Sequence, residues 1–291
     1  MMDRQKVKDF FEFKKDNTKL YVGLGIIFLL LGFALFLSFI LSGVFFWLAY
    51  REKEKRSDNS ELEAVRFFKQ KDVSNLLDRA FKKANVDIDD LVDFEASDML
   101  DFDELEGNPS NTQDKLRRKS FILLGTPDNF RFRAVKEAGG MRSLEINPWR
   151  VTILFLTQSQ LIGYEAELDI TRGDLNTEDF HRMFLKDVVQ IGTSTKSKRI
   201  EIDPKARDEA TVEYREMFGP NIKEVVRRFH FVNISKTDGQ PLTFPIGVPE
   251  SRDGTVGALD MESSDEDARY MRIAQEMSQR IDEMKRGLPA A

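Results

Sequence analysis

The sequence predicts an α+β chain: one membrane-spanning helix, a charged helical stalk with an acidic linker, and a mainly β domain closed by a C-terminal helix. Three observations predict it. The thirty residues from Tyr21 to Tyr50 carry no charge. Beyond residue 115, short apolar or alternating segments recur between turn residues, as strands do. Near the end, residues 265–286 set apolar side chains at helical spacing between an acidic start and a basic finish. The expected division is a basic flank over 1–20, a transmembrane helix over 21–50, stalk and linker over 51–114, and the β domain over 115–291.

The apolar run is dominated by Leu, Ile, Phe and Val, as in Ile26-Ile27-Phe28-Leu29-Leu30-Leu31. About 20 helical residues cross a bilayer core, so a single integral pass is expected. Tyr21 at one end, and Trp47 with Tyr50 at the other, suit the two interfaces. A straight helix of this length would measure roughly 45 Å against about 30 Å of hydrocarbon, which implies tilt. The alternative is a re-entrant loop kinked near Gly32 or Ser38. The ending Trp47-Leu48-Ala49-Tyr50-Arg51 is not a signal-peptide cleavage site. Arg4, Lys6, Lys8, Lys14, Lys15 and Lys19 before the run match Arg51, Lys53, Lys55, Arg56, Arg66 and Lys69 after it. Balanced flanks give no orientation.

After the charged stretch at 51–58, Val73, Leu76, Leu77, Ala80, Phe81 and Ala84 share one face of a helix expected over 60–85, with Asn59 or Ser60 as its cap. Residues 87–106 hold ten acids and no base, interleaved with large apolar groups. This is either a solvated linker or an acidic-hydrophobic docking segment, with Phe94, Leu100, Phe102 and Leu105 as its anchors. Gly107-Asn108-Pro109-Ser110-Asn111 closes it.

Strands are expected over 120–125, 129–135, 150–156, 160–170, 184–191 and 199–202. Residues 150–156 are apolar on both faces, which marks a central strand. Residues 228–234 and 242–248 flank Asp238-Gly239, a tight-turn pair, and form the clearest hairpin. Residues 205–222 read as an insertion. The final helix is capped at Ser263 or Ser264, stopped by Gly287 and Pro289, and carries a stripe through Tyr270, Ile273, Ala274, Met277, Ile281 and Met284 suited to packing on a sheet.

Ser120-Phe121-Ile122-Leu123-Leu124-Gly125-Thr126-Pro127 is similar to the opening strand of the bacterial pleckstrin-homology-like (PH-like) family found in membrane proteins. The segments 151–157 with 160–164, and 184–191, resemble its later strands. The resemblance covers about 118–287, while the 136–149 connection and the 205–222 insertion depart from it. It implies a small β barrel closed by a helix, a cytoplasmic placement and an interaction module rather than an enzyme.

Composition narrows the chemistry. The chain has no cysteine, which removes disulfides, thiolate metal sites and cysteine nucleophiles. A net charge of −6 argues against nucleic acid as a partner. His181 and His230, the only histidines, stand too far apart for a zinc motif, and no cofactor is expected. Arg172-Gly173-Asp174 reads as turn chemistry, and the sequon Asn233-Ile234-Ser235 falls inside an expected strand. Two basic clusters, Lys115, Arg117, Arg118 and Lys119, and Lys196, Lys198 and Arg199, are candidates for anionic headgroups or a protein partner. The expected function is a membrane-anchored, non-enzymatic scaffold within a larger membrane assembly. Alternatives are a periplasm-facing subunit of a secretion or conjugation machine and a membrane-tethered hydrolase.

Overall fold

The structure is a computed structural model and describes residues 3–12, 18–31, 37–57, 60–93, 111–136, 142–201, 224–251 and 263–287. The uncharged run is not one helix. It is divided between α2 (Thr18–Leu31) and α3 (Leu37–Ser57), which pack against each other as a hairpin. Among the described residues no helix is long and apolar enough to cross a membrane. The expected transmembrane helix, and the integral single-pass placement with a cytoplasmic domain that depended on it, are therefore corrected. The reason lies in helix pairing: small residues on both halves let the two segments lie against each other, which one straight helix could not exploit.

The hairpin is closed at its base. The stretch expected as a basic flank contains α1 (Arg4–Phe11), capped by the Asp3 side chain accepting from the Gln5 amide. Its buried face of Val7, Phe10 and Phe11 packs on α4 (Ser60–Ala84). Arg4 donates to both oxygens of Asp72, at 2.8 and 2.9 Å, and to the Ile170 carbonyl at 2.9 Å. Its guanidinium also lies 4.5 Å over the Phe68 ring. The expected stripe on α4 is present: Val73, Leu76, Leu77, Ala80 and Ala84 are buried, with Phe81 half-buried against Phe155.

The chain then passes through a 3-10 turn at Ile88–Asp90 and a short helix α5 (Asn111–Arg118) that lies on α4. Nine strands follow among the described residues. β1 (Phe121–Gly125), β4 (Trp149–Leu156), β5 (Gln160–Asp169) and β6 (Asp174–Phe184) form an antiparallel sheet in the order β1-β4-β5-β6. β2 (Arg131–Lys136), the strand expected over 129–135, pairs with β3 (Arg142–Asn147), which lies within the expected long connection, and the two make a separate ribbon. β7 (Val188–Glu201), β8 (Glu224–Lys236) and β9 (Leu242–Ser251) form the second main sheet. The terminal helix α6 (Ser263–Gly287) packs on β7 through Ala274, Met277 and Ile281.

Both faces of the four-stranded sheet are covered, which explains why β4 has no polar side. Val151, Ile153 and Phe155 join the core shared with α1 and α4, while Leu154 and Leu156 join the core shared with the second sheet and α6. Glu165 on β5 is buried and paired with Arg150 of β4.

The PH-like small barrel is also corrected, because among the described residues no sheet closes. β1 and β9 meet at a seam where a methyl added to Gly125 would overlap the Pro245 carbonyl. Proline has no N–H to donate, so Pro245 and Pro249 keep β9 from extending a continuous ladder across to β1. At the other end, β6 and β7 are joined by the 3-10 turn Leu185–Asp187 and belong to different sheets.

Replacing Arg4 with alanine strands a nearly buried carboxylate and is expected to destabilise the protein by about 2 kcal/mol in urea titrations. Arg4→Lys should restore little of this, since a point charge cannot reproduce the two-pronged contact. Gly125→Ala forces the seam apart and should cost roughly 1–3 kcal/mol by the same measurement.

Candidate functional site

The feature least explained by folding is the hairpin. Its interior combines small groups with an aromatic stack. Gly25, Ser42 and Ala49 are buried, and the Ser42 hydroxyl donates to the Gly25 carbonyl at 3.0 Å. A Cβ on Gly25 would stand 3.3 Å from the Phe46 ring. Phe28 and Phe45 stack at 5.4 Å between centroids, and Tyr21 lies 6.5 Å from Phe45 on its other side.

Large apolar side chains point outward instead. Ile27 is 52% exposed, Leu30 64%, Ile40 58% and Trp47 56%, and Ile26, Leu29, Leu41 and Val44 follow them. A helical hairpin folding in water buries its large residues and exposes its polar ones. This hairpin does the reverse, with a hydroxyl and a glycine inside and isoleucine and leucine outside. Small-residue interfaces with outward-facing aliphatics are how helices pack in hydrocarbon. Water is a poor solvent for such a surface, at roughly 1 kcal/mol for each half-exposed large side chain.

Because α1 returns to α4, the two flanks of the apolar run leave the hairpin at the same end. The matched basic flanks therefore do not lie on opposite sides of anything. Tyr21, Trp47 and Tyr50 fall on the base half of their helices, and Leu30 and Ile40 on the half near the reversal.

The basic clusters are distributed less simply. In the first, Lys119 is largely consumed internally, donating to the Leu91 carbonyl at 2.7 Å and pairing with Asp93 at 3.6 Å. Arg117 is half-buried, donates to the Ser74 hydroxyl at 3.1 Å, and is held by burial below the ordinary arginine range. Lys115 and Arg118 are exposed on α5. In the second, Lys196, Lys198 and Arg199 stand exposed along β7, with Lys196 5.3 Å over the Phe231 ring and Lys198 paired with Asp128 at 3.0 Å. The clusters sit on different elements, α5 and the turn after it in one case and β7 in the other.

Phe94, Leu100, Phe102 and Leu105 lie outside the described residues. The start of the acidic stretch docks on its own domain: Leu91 is buried and bridges Thr157, and the Val92 amide donates to Leu156 at 2.9 Å. Arg172-Gly173-Asp174 forms the β5–β6 turn, where Gly173 has a φ of +75° and faces the Arg4 guanidinium. Asn233 is held within the second sheet, between Ser194 and Thr243.

One titratable knot ties α4 to the sheet. Glu178 pairs with Lys83 at 2.6 Å, accepts from the Tyr164 hydroxyl at 2.6 Å, and accepts two bonds from Arg79 at 2.8 and 3.0 Å. These contacts, led by Lys83, hold its carboxyl at about 2. Burial, then the bond to Glu178, pushes Tyr164 up. Every acceptor there is occupied by a neighbour from α4 or β5, the geometry of a fastening rather than of a base waiting for a substrate. Among the described residues no group of three or more His, Asp or Glu side chains is placed to hold a metal ion. Compared with known proteins, the chain matches no family model, no curated protein and no solved structure.

What the sequence missed here is the pairing inside the apolar run. Gly25, Ser42 and Ala49 were its signal, since small residues spaced through a hydrophobic segment mark a helix–helix face.

Glu178 also sets a pH dependence. Its folded value lies below the ordinary 4.5, so its contribution is full above pH 4.5 and disappears as pH falls toward 2. Urea unfolding between those limits is expected to show a steeper loss of stability for the wild-type protein than for Glu178→Gln.

Proposed function

We propose that this chain is a non-enzymatic interaction protein held at a lipid surface by its hairpin, with the two-sheet body presented to other proteins beside that surface. The observation that carries the reading is the packing of α2 and α3, with a glycine, a hydroxyl and one aromatic stack inside and a run of large aliphatic side chains left outside. Exposed large apolar side chains that follow one another along both helices exceed what scattered surface hydrophobics account for.

The apolar contribution dominates in this reading. The flanks interleave acids with their lysines and arginines, as in Arg51-Glu52-Lys53-Glu54-Lys55-Arg56, so net attraction to anionic lipid is small. The exposed row Lys196, Lys198 and Arg199 supports a secondary, charge-dependent contact, at about 1 kcal/mol for each residue that reaches an anionic leaflet.

Flotation of the full chain with phosphatidylcholine vesicles tests this. Binding is expected to be nearly equal at about 0.1 M and about 0.5 M salt, because the apolar term is not screened. The double substitution Ile27→Asp with Leu30→Asp should reduce it by more than about 100-fold, given roughly 2.5–3.5 kcal/mol for each buried aspartate. Wild-type flotation by that variant would overturn the reading. Replacing Lys196, Lys198 and Arg199 by alanine should leave neutral vesicles unaffected and weaken binding to phosphatidylserine vesicles at low salt.

A further inference from the structure

We propose that the α2–α3 hairpin enters only one leaflet, as a wedge, and that this makes the protein's attachment sensitive to membrane curvature. The inference rests on the lipid-surface reading above and adds depth, topology and preference to it.

Depth follows from length. α2 has 14 residues, or about 21 Å of helix. The uncharged part of α3, residues 37–50, also has 14 residues, while that of α2, from Leu20 to Leu31, has 12. A bilayer with its headgroups is about 40–45 Å thick, so each arm matches about half of it. A hairpin standing on its base would reach the midplane and stop there.

Topology follows from the clasp at the base. α1 and α4 pack on each other, and Arg4 bonds to Asp72 of α4. The segments entering and leaving the hairpin are fixed together, so both must remain on the entry side. Tyr21, Trp47 and Tyr50 then fall at the interfacial end, where amphipathic rings are favoured. Exposed apolar side chains run along both helices, with Ile26, Ile27, Leu29 and Leu30 on α2 and Ile40, Leu41, Val44 and Trp47 on α3, so lipid is the occupant that fits; a protein groove takes one apolar stripe and would leave the rest in water.

Preference follows from area. Two packed helices, each about 10 Å across with side chains, add their cross-section to one leaflet and nothing to the other. Insertion of this kind is least costly where the receiving leaflet is already expanded, as on the outside of a small vesicle.

The test uses the full chain with single cysteines, which are clean probes because the natural sequence has none. Flotation should show at least about fivefold stronger binding to phosphatidylcholine vesicles of about 30 nm than to vesicles of about 400 nm at equal lipid. A membrane-impermeant maleimide added outside sealed vesicles should label Ser57→Cys and not Leu30→Cys, and the same reagent trapped inside should label neither. Equal binding at both sizes, or labelling of Leu30→Cys from the lumen, would overturn the one-leaflet wedge while leaving lipid attachment standing. Failure to float with any vesicle would overturn lipid attachment itself. Disulfide cross-linking through Leu30→Cys with no flotation would assign the apolar surface to a second copy of the chain, and would overturn both.

Discussion

The architecture depends on the contact that Arg4 makes with Asp72, the Ile170 carbonyl and the Phe68 ring. One guanidinium there joins the segment before the hairpin, the helix after it and the turn between β5 and β6. Asp72 is 7% exposed, and a carboxylate so nearly removed from solvent needs a partner of opposite charge with matching geometry. Without it α1 would still rest on α4 through Val7, Phe10 and Phe11, but that pair of helices would lose its bond to the Ile170 carbonyl, and the turn at Gly173 would lose the group packed against it.

Two packing regimes meet at that clasp. Above it, the hairpin holds together through a glycine, a serine and an alanine, with a buried hydroxyl bonded to a backbone carbonyl. Below it, the body follows the ordinary rule for water, with Tyr164, Phe155, Phe121 and Phe244 fully enclosed between layers. Charged side chains at the boundary between helices and sheet are spent on each other: Lys83 and Arg79 on Glu178, Lys69 on Glu145, Arg150 on Glu165. These pairs lie on α4, the ribbon and the first sheet, and they orient the helical layer on the sheet more than they add stability.

Much of the body was legible in the sequence because its signals are local. The stripe from Val73 to Ala84, the alternation of β5, the Asp238-Gly239 turn and the capped terminal helix each lie within a single element. Long-range partners were what hid the rest. β6 carries Asp174, Glu178, Asp179 and Arg182 and reads as a loop until α4 supplies Lys83, Arg79 and the Ala84 carbonyl to receive them. β3 is a strand because β2 pairs with it, and Glu145 within it is tolerated because Lys69 and Arg66 reach it. The expected barrel is open in two places, at the seam of Gly125 against Pro245 and at the 3-10 turn between β6 and β7, and no periodicity records either. In the apolar run, hydrophobicity outweighed the small residues that decide how it folds. That run is the candidate site, so its chemistry was evident early and its geometry was not.

The sequence separations of the Arg4 bonds impose an order of events as the chain is made. Asp72 lies 68 residues from Arg4, and Ile170 lies 166. At roughly 5–20 residues per second, synthesis separates the emergence of those two partners by about 5–20 s. The arginine can therefore fasten the base of the hairpin while the strands that will enclose the cores have yet to leave the ribosome. During that interval the nascent chain displays its most water-averse surface with no sheet beside it. Its safest destination is the surface nearest the point of synthesis, so the first helices can fix where the remaining two-thirds of the molecule folds.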